Sequence, residues 1–393
     1  MAEKISYLLI GGGLASACAA ESIREHDQQG AIAIISSEAY FPYHRPPLSK
    51  SYLIEGDWEP ADIYHHDEAW YAEHNVIFHG GVRATGLDLN GQTATLSSGA
   101  SIEYDKLLLA TGAGLIYLNV PGSDLEGLYY LRTIPDADAL TKASESAKRV
   151  VVVGGGFIGL ELASAFQQRD LEVLLVYMED RLWERMLSPE ISRWLEDHYR
   201  SKEITLISRA QVAEFRGQGQ VDTVVLKSGD TLPVDMCALG IGVRPDLTLV
   251  KNTPLEGANG IPVNEYLETD VAGVYSAGDI AWYQDAIFNK RRRVEHFDTA
   301  KGHGEVAGAN MAGERRPYRE LPYFFSDLFD LEFEFVGDFD LKPDRVDFTG
   351  ELSENTFIAR YFQQNRIFAA VFVGREEEEI EAVKEEILEA QSQ

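Results

Sequence analysis

Residues 149–166 read RVVVVGGGFIGLELASAF. Four valines in a row fit a strand buried on both faces, and the run after the glycines reads as a helix. Between them stands Gly154-x-Gly156-x-x-Gly159, with Phe157 and Ile158 inside the turn. In such a fingerprint the first glycine permits the tight turn and the second lets the backbone approach a pyrophosphate at the helix N-terminus. The third allows close packing of helix on strand. The next strand is expected at Leu171–Tyr177.

The same order occurs near the start of the chain, in ISYLLIGGGLASACAAESI (5–23). Here Gly11 and Gly13 hold the first two places, Leu14 and Ala15 follow, and Ser16 replaces the third glycine with another small residue. The next strand, Ala31–Ile35, runs into Ser36-Ser37-Glu38, where an acid would accept a hydrogen bond from an adenosine ribose; Glu38 is the candidate. One glycine turn is weak evidence, because such turns are common. Two turns, each between a strand and a helix, imply two dinucleotides, and the usual pair is a flavin one with a nicotinamide one.

Later segments fit an α/β chain of this kind. YDKLLLATGA (104–113) is an apolar strand stopped at Ala110-Thr111-Gly112, and TDVAGVYSAGDIAW (269–282) ends in Gly278-Asp279. That aspartate could accept from a ribityl hydroxyl while its N–H meets a phosphate. YFPYHRPPLSK (40–50) is a proline-stiffened loop that offers Arg45 and Lys50.

Composition sets the outer limits. With 393 residues, 45% of them hydrophobic, and 34 glycines, a soluble globular protein of two or three domains is expected. A formal charge of −29 argues against nucleic-acid or anionic-membrane partners. Part of the excess lies in REEEE (375–379) and the Glu-rich helical pattern after it, read as a solvated tail. Cys18 and Cys237 form no CxxC pair, which disfavours a disulfide framework, a dithiol relay and a zinc site, so no metal is expected. The strand-like Ile5–Ile10 leaves no room for a signal peptide, and no apolar run reaches membrane-span length. A cytoplasmic protein is the expectation.

Together PYHRPPLSK (42–50), LLLATGA (107–113), LRTIPDADAL (131–140), GIGVRPD (240–246), YSAGD (275–279), VEHFDTAKGHGEVAGANM (294–311), PYFFSD (322–327) and the paired GGG turns carry a resemblance. Over essentially its whole length the chain resembles FAD-dependent pyridine-nucleotide oxidoreductases of the ferredoxin/rubredoxin reductase type, and within it the apoptosis-inducing-factor-like branch. The resemblance implies two Rossmann-like three-layer domains and a small α+β C-terminal domain. FAD would occupy residues 1–113 with 245–320, NAD(P)H 114–244, and the last domain would span 321–393.

By the same resemblance Arg45 approaches the FAD phosphate or adenosine, and Val82, Ala110, Thr111, Gly112 and Arg132 lie along the FAD. Lys50 stands near flavin N5, where a cation helps as charge develops, with Glu161 opposite it. The residue-level alternative for Glu161 is a solvated acid at a helix N-terminus. Glu295, His296 and Phe297 fall beside the flavin and nicotinamide rings, His296 as a packing or hydrogen-bonding residue; Gly242 lies where the chain leaves the inserted domain. Two positions depart from the pattern. Ser37 occupies the acid position for FAD, with Glu38 beside it, and Tyr177 occupies the NAD one, with Glu179 two residues later. NADH is expected over NADPH.

Hydride would pass from NADH to flavin N5 and electrons onward to an acidic ferredoxin-type iron–sulfur partner. A small acceptor (quinone, monodehydroascorbate-like radical or oxygen) is the alternative, as is a redox-sensing flavoprotein whose charge-transfer complex with NADH controls conformation or dimerisation. The run Lys290-Arg291-Arg292-Arg293 could dock the acidic partner; the alternative, usual for a charge run, is a solvated loop. Monomer and homodimer both suit the family.

Overall fold

The computed structural model describes residues 3–392, and of Glu3 the backbone only. Its architecture is mixed α/β and begins with a seven-stranded sheet. The parallel part runs Val76–His79, Ile32–Ile35, Glu3–Ile10, Ser101–Leu109 and Val274–Ser276. Two antiparallel strands, Thr93–Leu96 and Ala84–Asp88, complete it beside the start of Ser101–Leu109. From the central strand Glu3–Ile10 the chain winds first to one side and then to the other. The crevice at the carboxyl ends of the strands, where Gly11, Ser36, Ala110 and Ala277 emerge, is therefore a topological switch point.

The helix Leu14–His26 lies against Phe297–Met311 at unusually close range. A Cβ on Gly304 would stand 2.4 Å from the Ala15 carbonyl oxygen, and one on Gly308 2.4 Å from that of Ala19. These absent side chains bring the start of Phe297–Met311, and so His296 and Phe297, up to the first glycine turn.

A second sheet is wholly parallel, in the order Thr205–Ile207, Glu172–Val176, Arg149–Val153, Met236–Leu239, Leu128–Tyr130. The valine-rich strand is central, and Val150 to Val152 are fully buried, as a strand covered on both faces requires. Two short strands, Ala113–Leu115 and Val243–Pro245, pair antiparallel where the chain passes into this unit and back out.

The last unit is a five-stranded antiparallel sheet ordered Tyr323–Leu328, Leu331–Gly337, Arg366–Val373, Thr356–Gln363, Arg345–Glu351. Helix Glu377–Gln391 lies on it through Ile380, Val383 and Ile387, all buried. The reading of this segment as a solvated tail is corrected here. Its acids form one face of an amphipathic helix, and its apolar stripe is core. No described helix is long and apolar enough to cross a membrane.

Candidate active site

Both glycine turns open onto one cavity of about 1200 Å³. That exceeds the roughly 300–1,000 Å³ usual for a single small ligand. Packing explains some of the glycines. Gly11 (φ +127°) and Gly154 (φ +121°) have left-handed backbones, and a Cβ there would come within 2.0 Å of the Ala110 and 2.3 Å of the Gly240 carbonyl oxygens. A Cβ on Gly159 would reach 1.9 Å from the Gly154 oxygen.

Packing does not explain Gly13 or Gly156. Their φ values of −96° and −81° suit any residue, and a Cβ on either would meet nothing within 4 Å. What the missing side chains preserve is open space before two helix N-termini whose N–H groups face the cavity, the requirement of a pyrophosphate. The residues present therefore fit one dinucleotide at each turn.

Of the site residues expected from sequence, all but Ser16 and Gly159 line this cavity. Those two hold the third fingerprint position and serve helix packing; the Ser16 hydroxyl is fully buried without a hydrogen-bond partner.

At the first turn, Glu38 is engaged within the protein. Arg45 Nη2 lies 2.6 Å from its Oε1, and the Tyr43 hydroxyl donates to its Oε2 at 2.6 Å. Arg45 also donates to the Arg132 carbonyl. The acid expected to take a ribose hydroxyl thus also anchors the arginine of the proline loop. Pro46 starts a single 3₁₀ turn, Pro46–Ser49, which fixes Arg45 at one end and Lys50 at the other. Arg132 in turn holds Asp279, Nη2 to Oδ2 at 2.8 Å.

At the centre, Lys50 Nζ is 3.2 Å from Glu161 Oε1 and 3.6 Å from Asp327 Oδ2, and 4.8 Å above the Phe325 ring. Glu161 is 5% exposed, which corrects the solvated-acid alternative. Ser49 donates to its Oε2 and Ser326 to its Oε1 at 2.7 Å. Burying a carboxylate is costly unless it is paired and hydrogen-bonded. Two segments, far apart in sequence, supply the partners: Ser49 with Lys50, and Ser326. Ser49, Phe325, Ser326 and Asp327 belong to motifs visible in the sequence, but nothing local assigned them a role.

At the second turn Tyr177 lines the cavity, as its position in the sequence suggested. Its ring is 2% exposed beneath Gly155, and its hydroxyl donates to Glu196 Oε1 at 3.2 Å, into helix Pro189–Ser201. That hydroxyl is turned from the cavity; Glu179, Gln211 and Lys227 line this end. His296 precedes helix Phe297–Met311 with its ring 4.1 Å from that of Phe324, and burial pushes its pKa down to about 3. Phe297 meets His44 edge-on at 5.1 Å.

The cationic run is also corrected. Lys290 pairs with Asp338 (2.7 Å) and Asp340 (2.9 Å), Arg292 with Asp285 (3.2 Å) and Asp338 (3.0 Å), and Arg293 with Glu295 (2.5 Å). Only Arg291 has no carboxylate; it lies over Trp282. Strand pairing places these residues on a hairpin beside two local acids, Asp285 and Glu295, and two remote ones, Asp338 and Asp340. The run staples that hairpin to the last sheet and is not a free basic surface.

One buried histidine gives a pH prediction. His303 is fully buried between Tyr283 and Tyr318, accepts from the Gly278 N–H at 3.3 Å, and has its pKa pushed down to about 3 by burial. The unfolded chain takes up this proton below about 6.5 and the folded chain only near 3, so stability falls as pH drops through that window, by on the order of a few kcal/mol. His303→Asn keeps the acceptor for Gly278 but does not titrate. Its melting temperature should start lower at neutral pH and fall less steeply between pH 6 and 4. Parallel slopes for the two proteins would refute this.

Comparison with known proteins agrees with this geometry. Residues 5–304 match the family model described as pyridine nucleotide-disulphide oxidoreductase. The chain is 35% identical over 361 residues to a monodehydroascorbate reductase of Pisum sativum, covering 86% of this chain and 83% of that one, and 36% identical with the same coverage to one of Solanum lycopersicum. Among solved structures it is similar to the ferredoxin reductase of the CYP199A2 system from Rhodopseudomonas palustris, with TM-score 0.91, 32% identity, and 95% of this chain and 93% of that one covered. The putidaredoxin reductase–putidaredoxin complex gives TM-score 0.93 and 29% identity, with 98% and 93% covered. Two dinucleotide cradles on one cavity, meeting at a lysine, thus coincide with a full-length likeness, and the chain belongs to the pyridine nucleotide-disulphide oxidoreductase family, as an FAD-dependent, NAD(H)-using oxidoreductase of the ferredoxin-reductase type.

Proposed function

We propose that this oxidoreductase passes electrons from NADH to a small one-electron acceptor of the monodehydroascorbate-radical class. In this reading FAD lies along residues 1–113 and 245–320 and NADH along 114–244, with 321–393 closing the cavity through Phe324 and Phe325. The flavin, when bound, supplies the chemistry that takes hydride from the nicotinamide and releases electrons singly.

The protein's own groups do the rest. Gly13 and Gly156 admit the pyrophosphates, and Arg45 and Arg132 supply positive charge beside the first. The Lys50 ammonium, held by Glu161 and Asp327, presents a fixed cation where charge develops. Phe297, Phe324 and Phe325 exclude water from that region. Glu179, at the far end, would accept from a ribose 2′-hydroxyl and repel a 2′-phosphate, which favours NADH.

The observation that carries the choice of acceptor is the internal neutralisation of Lys290, Arg292 and Arg293. It removes the docking face that an acidic protein partner would use, on a chain of charge −29. The curated relatives named above support the same class. A second reading, an iron–sulfur protein as acceptor, is favoured by the structural likeness to the two reductases of that kind.

The test offers flavin-loaded protein and saturating NADH either the radical or a ferredoxin, at low and high salt. The radical should turn over at least about tenfold faster, with little salt dependence, because beyond roughly 8 Å exposed charges are screened at physiological strength. Faster, salt-sensitive ferredoxin turnover would favour the second reading.

A further inference from the structure

A cluster of ligand-type side chains lies on the far side of helix Leu14–His26, outside the nucleotide cavity. Cys18 and Glu21, three residues apart on one helical face, meet His65 from the loop after the 3₁₀ turn Pro60–Ile63. Cys18 Sγ is 3.8 Å from His65 Nε2, and that nitrogen is 3.4 Å from Glu21 Oε2; all three ligand atoms lie within 4.8 Å of one another. Zinc bond lengths of about 2.3 Å to sulfur, 2.0–2.1 Å to nitrogen and 2.0–2.2 Å to oxygen imply tetrahedral edges of about 3.6 Å for S–N and 3.4 Å for N–O. The observed S–N and N–O separations are close to those edges, and the sulfur lies within 4.8 Å of the carboxylate.

The surroundings have the form of a second shell. His65 Nδ1 is 3.0 Å from His44 Nε2, so its N–H can donate there and leave Nε2 bare toward the cluster. His66 Nε2 is buried and lies 3.0 Å from Glu21 Oε1, the other oxygen of that carboxylate. Its ring is fixed by stacking at 3.9 Å on Trp70. The other cysteine has no such company: Cys237 is packed among Val151, Val153 and Leu239.

We propose that Cys18, Glu21 and His65 form a site for one divalent cation of the zinc class, with the fourth position left to water. Loading replaces the thiol proton, which leaves to solvent, by the metal. A thiolate and a carboxylate then neutralise the two charges, as a buried cation requires. The site would tie the helix of the first glycine turn to the loop that carries Lys50, because His65 N–H donates to the Pro42 carbonyl and His44 N–H to that of Ile63. From His44 the contact continues to Phe297 at the cavity wall.

The test titrates tag-free, flavin-loaded protein with Co²⁺ and records the difference spectrum against the zinc-loaded protein, so that flavin absorption cancels. One cobalt per chain is expected, with thiolate-to-cobalt and tetrahedral d–d bands, a melting temperature several degrees higher, and at least tenfold weaker binding in Cys18→Ala and His65→Ala. Cys237→Ala should match wild type. If Cys18→Ala does not hold flavin, the thiolate band of Cys237→Ala decides alone, since Cys18 is then the only thiol. No cobalt uptake by wild type, or uptake without a thiolate band, overturns the proposal.

Discussion

Replacing Lys50 with alanine is expected to slow flavin bleaching by NADH about 10²- to 10³-fold while the protein remains yellow. The size follows from what loss of one preorganised electrostatic donor costs at a reacting centre. The position follows from the structure: Lys50 Nζ is held by Glu161 and Asp327 and lies over Phe325, with its stem at the end of a turn begun by Pro46. Flavin retention should survive, because the phosphate-facing groups, Gly13, Arg45 and Arg132, belong to other parts of the cavity wall. A mixed effect on stability is expected too, since the variant leaves Glu161 buried with only Ser49 and Ser326 as donors. Lys50→Arg separates the two effects by restoring charge without the geometry of an ammonium, and should recover stability more fully than rate. The measurement is anaerobic stopped-flow absorbance at saturating NADH. An unchanged bleaching rate in Lys50→Ala would remove the lysine from the mechanism.

What could be read from the sequence follows a physical division. The glycine fingerprints were legible because each glycine answers a local demand, and the strands and helices around them obey short periodicities. The apposition of Lys50 and Glu161 was legible only through a resemblance, since nothing within either segment points to the other. Charge was read least well. Glu38 was read only as a ribose acceptor, the run Lys290–Arg293 as a docking surface or solvated loop, and the Glu-rich terminal segment as a solvated tail. In the fold Glu38 anchors Arg45, and the cations find Asp285, Asp338 and Asp340. The terminal helix buries Ile380, Val383 and Ile387. Long-range pairing decides whether a charge is free, and one sequence does not encode that pairing visibly. The partner of the Tyr177 hydroxyl, Glu196, was equally hidden, because it lies on a later helix. The close approach of Gly304 and Gly308 to Ala15 and Ala19 was written in the spacing of small residues, but that spacing is common to many helices.

The other large effect separates the two cradles. Gly156→Val should raise the KM for NADH at least about 100-fold, equivalent to about 2.7 kcal/mol of lost binding, and leave flavin content unchanged. Gly13→Val should give a colourless or flavin-poor protein. The contrast is sharp because neither substitution is opposed by the fold. Both positions have negative φ, no atom beyond the chain neighbours lies within 4 Å of the added Cβ, and both helices begin in the same way. The added Cβ therefore projects into space the fold leaves open, where the ligand's pyrophosphate is expected. Gly159→Val makes the complementary control, as its Cβ would fall 1.9 Å from the Gly154 oxygen and should destabilise the second unit outright. Flavin-to-protein absorbance ratios and NADH titration distinguish the three variants. A colourless Gly156→Val protein would mean that the turns hold the opposite coenzymes. Normal NADH binding in that variant would mean that the open space before Gly156 is not where the pyrophosphate lies.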